Sequence, residues 1–254
     1  MADPLLAAIE IVQALRHIGT KLVCIDFDAT FLDIHTGGAW NHNVSSLLPH
    51  VRPLFAALVP LLHEANIYIA LVTFSPQVDM IRSLLHLCFP LFAHDVIVRG
   101  NDTTWSISHA LCSDFALPSI QVQHLCISSS KLPHMISAAA DIQACIQKGD
   151  TVLIDDDPNN IRNATDHGIA AIWCPRQCDP IETLCEQVKK LHVQSVPLLG
   201  TPSKVVFSQS KLQFCTPSPG TKLMMKDMHI PPKTPCKERS LGRRRHVPKE
   251  IITP

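Results

Sequence analysis

Short apolar runs rich in Val, Ile and Leu alternate with stretches of helical spacing along residues 4–191. The runs cover residues 21–25, 67–72, 95–98, 121–127, 151–154 and 169–173. A run this short and this continuously apolar reads as a strand buried on both faces. Between the runs, residues 4–16, 47–65, 76–87, 131–147, 159–167 and 180–191 read as helices. Strands alternating with helices imply a parallel sheet. Right-handed crossovers then place helices on both of its faces. The expected fold class is therefore α/β, with a doubly wound, mainly parallel sheet.

The pattern stops near residue 195, which divides the 254-residue chain into a folded domain, 1–195, and a tail, 196–254. With 46% hydrophobic residues, 17% charged and a single Tyr, the domain is expected to build its core from Leu, Ile, Val and Ala. Residues 201–254 hold 11 Lys/Arg against 3 Asp/Glu, a charge of +8, so the first 200 residues carry −8. The tail is rich in Pro, Ser and Thr, a composition that buries too little surface to repay ordering, so it is expected to be disordered. Its basic charge suits an acidic partner, and Arg243, Arg244 and Arg245 form a patch of the nuclear-import or nucleic-acid kind.

No basic start followed by an apolar run opens the chain, and no stretch reaches the ~18 apolar residues of a membrane span. Several of the ten cysteines, such as Cys24, Cys126 and Cys174, sit inside apolar runs. They read as reduced thiols acting as small hydrophobes. An intracellular, cytoplasmic location follows as the expectation, with the nucleus added by the arginine patch, and no membrane partner.

In an open parallel sheet, ligands bind beyond the carboxyl ends of the strands. The first strand ends on Asp26 and Asp28, the second on Thr73, and the run at 151–154 on Asp155, Asp156 and Asp157. Crowded carboxylates repel one another unless a cation sits among them, and Mg²⁺ is the usual hard cation where phosphate is bound. A carboxylate can attack phosphorus, and a second one two residues on can serve as general acid and base.

An apolar strand followed by Asp26-Phe27-Asp28-Ala29-Thr30 resembles the first motif of the haloacid dehalogenase (HAD) superfamily. Val72-Thr73 resembles its second motif, Lys131 at a helix start its third, and Asp155-Asp156-Asp157-Pro158-Asn159-Asn160 its fourth, all in order. The resemblance implies a HAD-like Rossmannoid core and a Mg²⁺-dependent phosphomonoester hydrolase. It makes Asp26 the nucleophile and a metal ligand. Asp28 becomes the general acid/base, with its backbone carbonyl a further ligand. Thr73 and Lys131 bind the phosphoryl group, Asp155 and Asp156 complete the metal site, and Thr30 and Asn160 support the loops. The chain departs from the pattern in having Phe74, not glycine, after Thr73. His134, one turn beyond Lys131, reads as a surface histidine rather than a catalytic one.

About 45 residues separate Asp28 from Thr73, and they include a helix, so only a minimal cap fits. Such an open site suits a phosphorylated small molecule or macromolecule. Two other readings stand beside this one. The first is an inactive HAD-like scaffold whose basic tail binds an acidic partner or nucleic acid. The second is a phosphotransferase.

Overall fold

The computed structural model describes residues 3–105, 130–142, 146–176 and 181–195. The strand expected at 121–127 and the tail from residue 196, with its arginine patch, lie outside the described residues.

Among the described residues, five strands form one sheet: β1 (Leu22–Asp26), β2 (Tyr68–Val72), β3 (Ile97–Arg99), β4 (Thr151–Asp155) and β5 (Ala170–Trp173). Their order is β3-β2-β1-β4-β5, and every neighbouring pair is parallel. The helices are α1 (Pro4–His17), α2 (Pro53–Glu64), α3 (Val78–Cys88), α4 (Leu132–Asp141), α5 (Pro158–Asp166) and α6 (Ile181–Ser195).

Alternate side chains along β1 enter different cores. Val23 and Ile25 join one apolar cluster with residues of α1, α2, α3 and α6. Leu22 and Cys24 join a second with Leu132, Met135 and Ile136 of α4 and Ala164 of α5. All five residues of β1, and all five of β4, are therefore buried. That explains why these runs are apolar without alternation. The sheet is α/β and Rossmann-like, as the alternation of strands and helices implied.

Proline chemistry accounts for one departure. The stretch 47–65, expected as one helix, is a 3-10 turn (Val44–His50) followed by α2. The residue before a proline avoids the helical region. Arg52 is accordingly extended (φ −62°, ψ 132°), and Pro53 opens α2 where no amide donor is needed. The helix expected over 131–147 is also shorter. It ends at Asp141, after which Ile142 turns extended and buries its side chain in the second cluster.

The chain adds β2 and β3 on one side of β1, then returns to place β4 on the other side. This reversal opens a crevice at the carboxyl ends of β1 and β4, where ligands bind in sheets of this kind. Ile25 pairs with Ile154, so Asp26 and Asp155 finish the two central strands side by side.

One helix residue corrects the sequence reading. His134 was expected at the surface, but it is only 4% exposed. Its ring packs between Phe74 and Trp105, and among the described residues neither ring nitrogen has a hydrogen-bond partner. Burial pushes its pKa down to about 4, helped by the charge of Lys131 and opposed by Asp102, with Arg99 adding to the depression. An unfolded histidine titrates near 6.5, so between about pH 4 and 6.5 the unfolded chain binds the extra proton. Stability is thus expected to fall as pH drops through that window, by at most about 1.4 kcal/mol per unit from this residue. Urea titrations of wild type and His134→Phe at pH 5 and pH 7.5 test it. The wild type should lose more stability between the two than the variant.

Candidate active site

The chain leaves β1 through a tight turn, Phe27–Phe31, that redirects Asp28 over the crevice. Ala29 adopts a left-handed conformation there (φ 59°), which an L-residue resists. Surrounding bonds hold it: the Ala29 N–H donates to Ile34 O (2.8 Å), and the buried Arg52 guanidinium donates to Ala29 O (3.1 Å). Phe27, Phe31, Phe55 and Phe89 pack ring against ring beneath it.

The turn feeds a short flap. Its Thr36 donates both its N–H (2.8 Å) and its hydroxyl (2.7 Å) to Asp28 Oδ1, while His35 Nδ1 lies 3.6 Å from Asp28 Oδ2. Gly37 and Gly38 both have positive φ (66° and 67°), and a Cβ on Gly38 would meet the Pro76 ring at 3.0 Å. Trp40 and Gln77 then exchange two hydrogen bonds, Trp40 N–H to Gln77 Oε1 (2.6 Å) and Gln77 Nε2 to Trp40 O (2.8 Å). The flap is thereby tied to the loop after β2.

That loop brings Thr73, 2% exposed, to the crevice. Its hydroxyl accepts from the Ser75 N–H at 3.0 Å and still has its own proton to donate. Lys131, just before α4, is 3% exposed. Its ammonium donates to Asp26 Oδ1 and to Val72 O (2.8 Å), and it lies 4.0 Å from Asp155 Oδ2. It also stands 4.6 Å from the centre of the Phe74 ring, a cation–π contact. Phe74 thus walls the lysine on one side.

After β4, three consecutive aspartates point three ways. Asp155 is fully buried and accepts from the Asp157 N–H (2.8 Å) and, at both oxygens, from Asn160 Nδ2 (3.1 Å). Asp157 caps α5 through the Asn159 N–H (2.8 Å). Asp156 faces the crevice, where its Oδ1 accepts from the Thr30 hydroxyl (3.2 Å) and its Oδ2 from Arg176 Nε.

Carboxylate oxygens of Asp26, Asp155 and Asp156 lie within 4.8 Å of one another, and all three residues are buried. Burial pushes the Asp26 carboxyl up to about 8, against the pull of Lys131 and with Asp155 and Asp156 adding to the rise. Burial raises Asp155 too, opposed chiefly by Lys131. Such a cluster favours a cation. Its ligands are all oxygens, and Asn160 Oδ1 beside it is a buried acceptor with no donor among the described residues. That donor set fits a hard divalent cation.

Asp26, Asp28, Thr73, Lys131, Asp155, Asp156 and Asn160 all line one cleft of about 220 Å³. Every site residue expected from the sequence is therefore at this place or, for Thr30, bonded to it from behind. Sequence reading missed Thr36 and Arg176. Arg176 follows β5, and asking what the fifth strand ends on would have found it.

No protein-family model matches the chain, and no curated protein matches it. Among the described residues, no helix is long and apolar enough to cross a membrane.

Proposed function

We propose that the chain is a Mg²⁺-dependent phosphomonoester hydrolase of the HAD-like kind, with a minimal cap, working through an aspartyl-phosphate on Asp26. The observation that carries this reading is the set of Asp26, Lys131, Asp155 and Asp156 packed together where the sheet reverses its order. Bound Mg²⁺, held by Asp26, Asp155, Asp156 and the Asp28 carbonyl, would supply charge neutralisation at the phosphate.

The protein's own groups do the rest. Lys131 keeps Asp26 oriented and offsets its charge. Thr73 donates to a phosphoryl oxygen from across the cleft. Asp26 attacks phosphorus, and the bond to the leaving-group oxygen breaks as that oxygen takes a proton from Asp28. Asp28, now a carboxylate, removes a proton from water. The water attacks the aspartyl-phosphate, releasing phosphate and restoring Asp26.

The test is hydrolysis of p-nitrophenyl phosphate by purified protein with Mg²⁺. No turnover by wild type, or full turnover by Asp26→Asn, would remove this reading.

Thr36 should matter by orienting Asp28. Thr36→Val deletes the hydroxyl donor and keeps the backbone one. A hydrogen bond to a charged group contributes roughly 1.5–3 kcal/mol, so kcat should fall about tenfold or more. Thr36→Ser should restore it.

A further inference from the structure

Among the described residues, two cations bond the cluster of Asp26, Asp155 and Asp156, and they differ in how firmly they are held. Lys131 is buried and fixed by Val72 O as well as by Asp26. The Arg176 side chain is 56% exposed, and of the cluster's carboxylates it bonds only Asp156. Its backbone is anchored, because the buried Arg52 donates to both Pro175 O (3.5 Å) and Arg176 O (3.2 Å). Asp156 is anchored too, by the Thr30 hydroxyl on Oδ1 and by the Trp173 indole N–H on its backbone carbonyl (3.0 Å). Both ends are fixed, and only the guanidinium between them is exposed and on a flexible stem.

A cation ligated by Asp26, Asp155 and Asp156 has to draw on the same Asp156 carboxylate. We propose that Arg176 and the divalent cation exchange at Asp156, and that the displaced guanidinium then binds the anionic part of the substrate. Arg176 lines the same cleft as Thr73 and Lys131, so its released fork stays within the site. A planar guanidinium matches phosphate oxygens two at a time, which a lysine at this position could not do. Arg176 is on this account a positioning residue for the metal ligand and a binding residue for the phosphorylated substrate. The inference rests on the metal-dependent reading above.

The test follows the Arg176 Nε–H signal by NMR in full-length protein, assigned by its loss in Arg176→Lys. In EDTA the signal should show the downfield shift and slow exchange of a carboxylate-bonded proton. Saturating Mg²⁺ alone should move it to the position of a solvated arginine. Inorganic phosphate added after Mg²⁺ should shift it again, and should do nothing without Mg²⁺. Calorimetry run in parallel reports Mg²⁺ binding independently. Absence of Mg²⁺ binding refutes the metal reading and the exchange with it. Mg²⁺ binding with an unmoved Arg176 signal overturns the exchange alone. In steady-state assays Arg176→Lys should raise KM about tenfold, with kcat changed less, because one bidentate charged contact is lost. A change confined to kcat contradicts substrate binding by this residue.

Discussion

Asp26→Asn is expected to abolish hydrolysis of p-nitrophenyl phosphate, by about 10⁴-fold or more, because loss of an attacking group removes the covalent route altogether. The same substitution should leave the fold intact. Asn fills the same volume and keeps an oxygen for the Lys131 ammonium. It also replaces a carboxyl that burial has pushed up to about 8 and that faces Asp155 and Asp156. Thermal melting in EDTA should therefore show a Tm equal to or above wild type. An inert variant that melts many degrees lower would be a folding defect and would say nothing of the nucleophile. The pair of measurements separates a chemical role from a packing role: a strand-end carboxylate kept for packing has no reason to be costly in the fold and indispensable to turnover.

The parts of this site that the sequence made legible are those set by local pattern. An apolar five-residue run must be a buried strand here, and the residue that ends it must lie at the sheet edge. Asp26, Thr73 and Asp155 follow from that alone. Asp156 and Asn160 were reached only through the resemblance to the fourth motif, while Asp157 and Pro158 mark the start of the next helix. Lys131 was readable through its order along the chain, although its salt bridge to Asp26 spans 105 positions. Thr36 was not readable, because no spacing rule names its bond to Asp28, and Arg176 was marked only by its place after the fifth strand. Arg176 meets Asp156 from the end of β5, and Thr36 meets Asp28 only because the Ala29 turn folds the chain back. His134 failed for a related reason. A histidine one turn from Lys131 looks like a surface residue until Trp105 and Phe74 close over it. The break in the 47–65 helix was available from Pro53 and the restriction it places on Arg52.

Lys131→Met is expected to be the most destabilising single change in the site. Asp26 and Asp155 lose the cation that opposes their burial, and removing one partner of a buried pair costs about 3–5 kcal/mol. The methionine preserves most of the side chain's volume and its contact with Phe74, so the loss measures charge and not a cavity. Urea unfolding in EDTA should show the drop. Two companions make the origin plain. Asp26→Asn in the Lys131→Met background should recover much of the loss, giving a coupling energy well outside the ~0.5 kcal/mol expected of independent sites. Mg²⁺ should stabilise Lys131→Met more than it stabilises wild type, because a cation bound only by the folded state restores the missing positive charge. Equal losses in the single and double variants would mean that Lys131 supports the fold through Val72 O and not through Asp26. The site would then be a set of carboxylates that happen to share an edge. The opposite outcome makes Lys131 the fixed counter-charge of the cluster, and leaves the exposed Arg176 as the one that can be exchanged.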